Sequence, residues 1–483
     1  MSLLKVNNLV TRLHSSANIV DDISFSIQPG ETFALLGESG CGKSMTALSL
    51  MRLLPDGIAI TGGGVTLANV DLLSLPERDM REVRGGQIAM IFQEPGLSLN
   101  PVMTIGEQIA EVLSLHQGIK NSRADARAIA LLQQVGIPDA PQRLHEYPFQ
   151  LSGGMKQRVM IAMALAGEPK LLIADEPTTA LDVTIQAQVL QLLRDTQEKN
   201  GMAMLLITHD LGVVAQMAHH VAVMYAGQII EQAPRAQLFA TPLHPYTQKL
   251  FAALPGISKT GQKLAAIPGN VPALGEAVQG CRFAPRCDRV LPVCSVQAPE
   301  WKTLNSGAGV RCHLYNESGS ENIEYNHIVA KSTNASASER MLDTDKGLLA
   351  VKDLQVHFPI RKGLLQRTVG HVKAVDGVSL EIGAGRTLAL VGESGCGKTT
   401  AGKALLQLIQ PTAGSVQFNN NEMTGLSAQQ LRALRGGMQM VFQDPYASLN
   451  PKMRVAEILQ EGMDALGIGL NSHDRQQIGR AHV

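Results

Sequence analysis

An excess of charge of either sign is missing from this sequence. Among its 483 residues, 42 Lys plus Arg face 42 Asp plus Glu, a formal net charge of zero. The basic footprint that draws proteins onto nucleic acid is therefore absent, and no nucleic-acid partner is expected. Long apolar runs are missing too. None approaches the ~18 residues needed to span a bilayer, and the richest stretch, Val159–Ala166, is far shorter, so any membrane role is expected to be peripheral. The opening MSLLKVNNLV lacks the basic end, apolar centre and small-residue cleavage site of a secretory signal, which makes the cytosol the expected compartment. There the cysteines, only six in all, should be reduced or ligating. Charged residues are also scarce, at 17% against 45% hydrophobic, a balance that supports large buried cores. At roughly 150 residues per domain the length implies about three domains.

What the sequence does contain is a repeat. LLGESGCGKSMTALSLMRLL (35–54) recurs as LVGESGCGKTTAGKALLQLI (390–409), and VRGGQIAMIFQEPGLSLNP (83–101) recurs as LRGGMQMVFQDPYASLNP (434–451), in the same order. A period of this size is the mark of a duplicated domain. Between the copies, residues 315–347 are rich in Ser, Asn and Glu and read as a solvated linker. The expected division is a first nucleotide-binding domain over 1–255, an extension over 256–314 and a second, partial copy over 348–483. The partial copy stops about ninety residues after its glycine loop. Its last six residues, IGRAHV, match the translation of a common sequencing adaptor, so the tail is expected to be a read artefact.

Gly37, Glu38, Ser39, Gly40, Cys41, Gly42, Lys43 and Ser44 form GxxxxGK[ST] between an apolar, strand-like ETFALL and a helical pattern. Glycines let successive N–H groups curl around phosphate oxygens, and the following helix adds about half a positive charge at its start. Lys43 is expected to bridge the β- and γ-phosphates and Ser44 to ligate Mg²⁺. Gly392, Ser394, Gly395, Cys396, Gly397, Lys398, Thr399 and Thr400 repeat the pattern in matching context; Cys41 and Cys396 read as small fillers of their loops. LLIADEP (171–177) is an apolar strand ending in two acids, which puts Asp175 near the metal and Glu176 near an attacking water. LLITHD (205–210) ends a second such strand at His209, within reach of the γ-phosphate or Glu176. LSGGMKQR (151–158) sets Ser152, Gly153 and Gly154 before a helical run, a second anion-binding helix start. One nucleotide needs one cradle, so this second cradle is expected to cap a nucleotide held by another domain, in a head-to-tail dimer.

In these motifs the chain resembles the ATP-binding-cassette (ABC) ATPases. That resemblance implies an α/β P-loop fold with a mixed sheet core and a helical subdomain, one copy complete and one partial. It places Gln93 and Gln443 in loops that sense metal and attacking water, with Mg²⁺ at Ser44, Gln93 and Asp175 in one copy and Thr399 and Gln443 in the other. Glu176, His209 and Gln93 become the catalytic set; Ser152, Gly153, Gly154 and Gln157 the signature; and Ala180, Leu181 and Asp182 the loop after the acids. Where the family often stacks an aromatic ring on adenine, this chain offers Leu13 in the first copy and Phe358 in the second. The resemblance further implies separate membrane permease subunits, contacted between Gln93 and Leu151, at the cytoplasmic face of the inner membrane, and a peptide-binding protein acting indirectly.

HPYT (244–247), IPGNVP (267–272) and the spacing C-x5-C-x6-C-x17-C at Cys281, Cys287, Cys294 and Cys312 resemble the extension of peptide-importer ATPases, including glutathione systems. Four thiolates suit an iron–sulfur cluster, with Arg282, Arg286 and Arg311 offsetting its charge. The resemblance favours [4Fe–4S]; zinc and four free thiols are the alternatives. The function expected is ATP hydrolysis that energises peptide import. A soluble tandem ABC protein acting on ribosomes or DNA would want a basic linker or coiled insertion, and neither is present; a binding-only regulatory module is the other alternative. With one signature for two phosphate loops, neither composite site is complete within a single chain.

Overall fold

Thr32–Leu36, Leu171–Asp175 and Ala203–Thr208 are apolar on both faces and buried along their whole length, the pattern of strands covered by helices on either side. They form the centre of the first of two units into which the computed structural model divides, Met1–Ile328 and Val329–Val483. Described are residues 2–13, 18–178, 181–253, 267–272, 278–315, 347–362, 367–393, 395–443 and 448–466. Ala180, Ser394, the terminal IGRAHV and nearly all of the linker 315–347 lie outside the described residues.

In chain order the first unit begins with β1 (Leu4–Leu13), β2 (Asn18–Ile27), β3 (Thr32–Leu36), α1 (Lys43–Met51), β4 (Ile58–Leu67), β5 (Val70–Asp71), α2 (Glu77–Gly86) and β6 (Ile88–Ile91). The helical portion follows: α3 (Pro95–Ser98), α4 (Ile105–Gln117), α5 (Ser122–Gln134), α6 (Ala140–Arg143) and α7 (Gly153–Ala166). Then come β7 (Leu171–Asp175), α8 (Val183–Asn200), β8 (Ala203–Thr208), α9 (Leu211–Met217), β9 (His220–Tyr225), β10 (Gln228–Pro234), α10 (Arg235–Ala240), α11 (Pro245–Ala252), β11 (Lys302–Thr303) and β12 (Gly309–Val310). The helices expected between Gln93 and Leu151 are α4 and α5. Thr104 opens α4 with a reciprocal capping box to Glu107, which fixes its start.

Two sheets make the frame. An antiparallel sheet has the order β2-β1-β4-β5, and an eight-stranded sheet has the order β11-β12-β10-β9-β3-β8-β7-β6. Strands β9, β3, β8, β7 and β6 run parallel, so their carboxyl ends share one edge, where α/β sheets place ligands. The extension joins this sheet through β12, which pairs antiparallel with β10. One core cluster packs the helical portion against β6–β8, a second lies between the two sheets, and a third gathers Tyr225, Tyr246 and Phe283 of the extension side.

The second unit contains β13 (Gly347–Lys362), β14 (Arg367–Gly383), α12 (Lys398–Leu405), β15 (Ala413–Phe418), β16 (Asn421–Glu422) and α13 (Ala428–Arg435). Its antiparallel sheet, in the order β14-β13-β15-β16, repeats that of the first unit. The strand expected before its glycine loop does not form. Residues 386–393 are irregular and Val391 is 89% exposed. The reason is a lack of neighbours: β3 is held between β8 and β9, and no parallel strand occurs among the described residues of this unit.

Candidate nucleotide site

The loop after β3 needs its glycines. A Cβ at Gly37 would lie 2.3 Å from the Met224 carbonyl oxygen, and Gly42 adopts φ +107° with the Ile19 carbonyl oxygen 2.8 Å from any added Cβ. Gly42 is the N-cap of α1, so Lys43 and Ser44 open the helix. Lys43 is buried, and its ammonium donates to the carbonyl oxygens of Gly37 (2.7 Å) and Glu38 (2.8 Å). Loop carbonyls thus hold the lysine head where phosphate oxygens would compete for it. Burial pushes the Cys41 thiol up, which favours its neutral form.

Asp175 ends β7 and is 2% exposed. Burial pushes its carboxyl up to about 6, aided by the neighbouring Glu176 charge and opposed by the Ser44 hydroxyl that donates to it and by Lys43. Its Oδ1 is buried without a partner. A desolvated carboxylate with a spare acceptor beside a hydroxyl suits a divalent cation, and Mg²⁺ takes few protein ligands because it keeps several waters. Glu176 follows in the left-handed region, φ 49°, with its N–H on the Ile207 carbonyl. Such a conformation is costly for a non-glycine residue and is concentrated at functional sites. Its carboxylate is held from two sides: Oε1 lies 2.9 Å from His209 Nδ1 and Oε2 accepts from Gln93 Nε2 at 3.2 Å. The strands β6 and β8 thus deliver Gln93 and His209 to the carboxylate of Glu176 at the end of β7.

Ser152 caps α7, its hydroxyl accepting from the Met155 N–H at 3.3 Å, and Gly153 and Gly154 form the first turn. The buried Gln157 donates to the Pro177 carbonyl at 2.9 Å, which ties the signature helix to the backbone just beyond Glu176. Asp182 caps α8 through the Ile185 N–H at 3.0 Å. In the second unit Lys398 repeats the contacts of Lys43, donating to Gly392 and Glu393 carbonyls, both at 2.6 Å. Gly395 and Gly397 take φ +84° and +96°, and Thr399 and Thr400 lie in the first turn of α12. Cys396 is exposed, and Gln443 lies in the following irregular stretch. Leu13 and Phe358, the two candidates for adenine contact, are 38% and 42% exposed.

The extension departs from expectation. Cys281, Cys287, Cys294 and Cys312 are free thiols; burial pushes those of Cys281 and Cys287 up, and that of Cys312 up to about 12. No group of three or more His, Cys, Asp or Glu side chains among the described residues is arranged to hold a metal, so the expected [4Fe–4S] or zinc centre has no ligand set in this arrangement. Nor do the three arginines face the thiols. Arg282 pairs with Asp21, Arg311 with Asp22 and Arg286 with Glu38 of the phosphate loop. Tyr246 of HPYT accepts a hydrogen bond from the Glu38 N–H at 3.0 Å. Sequence reasoning singled out HPYT and Arg286 but missed Glu38, their common target.

Two family models match the chain. One, described as ABC transporter, covers residues 20–179 and 375–482. The other, oligopeptide/dipeptide transporter C-terminal region, covers residues 230–294. The chain is 42% identical over 477 residues to the peptidoglycan transport ATP-binding protein YejF of Agrobacterium fabrum, covering 98% of this chain and 73% of that protein. It is 42% identical over 476 residues to the glutathione import ATP-binding protein GsiA of Salmonella paratyphi A, covering 97% and 68%. With the oligopeptide transport ATP-binding protein OppD of Mycobacterium bovis the identity is 39% over 478 residues, covering 97% and 77%.

Proposed function

The chain belongs to the ABC transporter family of ATP-binding proteins, and from that premise we propose that it hydrolyses ATP at the Lys43 loop to energise import of peptides. The observation that carries the reading is the convergence on one sheet edge of the Lys43 loop, Asp175, and a Glu176 carboxylate gripped by His209 and Gln93. Lys43 and the N–H groups at the start of α1 bind the triphosphate. Ser44 and Asp175 would hold Mg²⁺, with Gln93 beside them and Thr399 and Gln443 as their counterparts in the second unit; the ion when bound neutralises charge on the transferred phosphoryl group. Glu176, fixed at both oxygens, orients a water and accepts its proton, and His209 keeps that carboxylate aimed.

Ser152, Gly153 and Gly154 cap a nucleotide held by a second cassette, and Asp182 lies in the loop that follows the acids. The match of the extension to oligopeptide and dipeptide transporters supports peptides, glutathione among them, as cargo. No helix among the described residues is long and apolar enough to cross a membrane. The pore on this reading comes from permease subunits at the inner membrane, fed by a peptide-binding protein, and this chain meets them from the cytoplasmic face.

Glu176→Gln tests the assignment. Turnover should fall by roughly 10²–10⁴, the usual worth of a positioned acid–base group, while ATP binding persists and the dimer accumulates on a sizing column. Unchanged turnover would remove Glu176 from this role.

A further inference from the structure

Glu38, like Glu393 in the second loop, puts an acid beside the place where a triphosphate must sit. Left free, its carboxylate would repel the nucleotide, since like charges a few ångströms apart in a partly desolvated site oppose binding. The structure holds it on three sides. Arg286 grips the carboxylate with two nitrogens, at 3.0 Å to Oε2 and 3.2 Å to Oε1. The arginine side chain is only 6% exposed; it also donates to the Pro268 carbonyl at 2.9 Å and to the Tyr225 hydroxyl at 3.3 Å. Tyr246, fully buried, takes the Glu38 N–H. Lys43 takes the Glu38 carbonyl. Burial makes the fork of Arg286 a fixed one, since a planar guanidinium docked on a carboxylate with its remaining donors satisfied has little freedom left.

The geometry points to Arg286, from the extension, and Tyr246, from α11, as positioning residues of the phosphate loop: Arg286 neutralises Glu38 and Tyr246 engages its N–H. The extension is thereby part of the ATP site although it contributes no group to the phosphates. Two consequences follow for the site's chemistry. The negative charge of Glu38 is cancelled before ATP arrives, so binding pays no repulsion. The loop's first turn also has a fixed set of N–H donors facing the ligand, because the one at Glu38 is already engaged.

This rests on the reading that the Lys43 loop binds ATP, so the experiment starts there. Binding of Mg²⁺-ATP is measured by fluorescence of a trinitrophenyl analogue and its displacement, with the second loop silenced by Lys398→Ala throughout, in the presence and absence of Lys43→Ala; equal affinity in the two overturns the ATP reading itself. Given a difference, Arg286→Gln, which keeps hydrogen-bonding capacity without charge, should weaken ATP binding about ten-fold, whereas Arg286→Lys should stay within about three-fold, as expected when charge is the agent. The same Arg286→Gln change made in a Glu38→Gln background should alter affinity by less than about two-fold, because the charge to be neutralised is gone. A structural role for Arg286 would make the loss equal in both backgrounds. Equal loss in both, or no loss in either, overturns the proposal. Should Arg286→Gln unfold, Arg286→Met, which keeps the length of the stem and removes the charge, carries the same coupling, with the loss confined to the Glu38 background.

Discussion

At the scale of single residues, Asp175 shows what the site costs before ligand arrives. Burial raises its folded-state pKa to about 6 from the ordinary 3.8, so the native state holds the proton more tightly than the unfolded chain. The penalty for the ionised form is therefore complete above about pH 6 and absent below about pH 4. Asp175→Asn should make the ligand-free protein more stable than wild type by on the order of 2 kcal/mol at pH 7.5, with the gap closing near pH 4 and the Mg²⁺ dependence of ATP binding lost. Urea unfolding at the two pH values checks this; a variant less stable than wild type at pH 7.5 would show that Asp175 is not a strained charge. The strand-end acids and His209 were legible in the sequence because each ends an apolar run whose edge position follows from its length. The Glu38 clamp was not, because Arg286 lies 248 residues away along the chain and charge pairing across that separation leaves no periodic signal. Proximity in sequence pointed Arg286 at Cys287 instead, and the fold overrode it.

Among the elements, α11 explains the HPYT motif. His244 is its N-cap, 1% exposed, with Nδ1 accepting the Tyr246 N–H at 3.0 Å, and Pro245 occupies the first turn. Glu231 accepts the N–H groups of Leu243 and His244 at 2.7 and 2.8 Å. The cap thus orients Tyr246 toward the phosphate loop. Burial lowers the His244 pKa to about 3, below the 6.5 of an unfolded histidine, so the fold gains its full benefit above pH 6.5 and loses it as pH falls toward 3. Relative to His244→Asn, which caps without titrating, wild type should lose about 2 kcal/mol between pH 7.5 and pH 5; parallel denaturation profiles would show that the imidazole does not stay neutral in the fold. The sequence made HPYT visible as a motif without its mechanism. It also made the second glycine loop look like the first, since TLALVGE and TFALLGE carry the same apolar signal. What a run of that kind cannot reveal is whether strands exist to flank it, and strand formation depends on those partners more than on the run itself.

For the whole molecule, the consequence lies in the arithmetic of loops and caps. Phosphate loops occur at Lys43 and Lys398, but LSGG occurs once, at 151–154. On the proposed mechanism the nucleotide at Lys43 is capped by the signature of another cassette; when two copies of these 483 residues pair, that is Ser152 of the second copy, and symmetry makes the arrangement reciprocal: each chain offers its loop to the partner's signature and receives the converse. Complementation distinguishes this from a self-sufficient chain. Lys43→Ala removes the loop and leaves the signature. Gly153→Asp does the reverse, and does so without disturbing the fold, because a Cβ at Gly153 meets nothing within 4 Å. Each variant alone should be inactive. Mixed one to one, half the dimers are mixed, and each mixed dimer has one intact loop facing one intact signature, so ATPase activity should return to about a quarter of the wild-type rate. Dilution should abolish it as the dimers separate. A mixture that stays silent beside an active wild type would mean that loop and signature serve each other within one chain, and the reciprocal arrangement would be wrong.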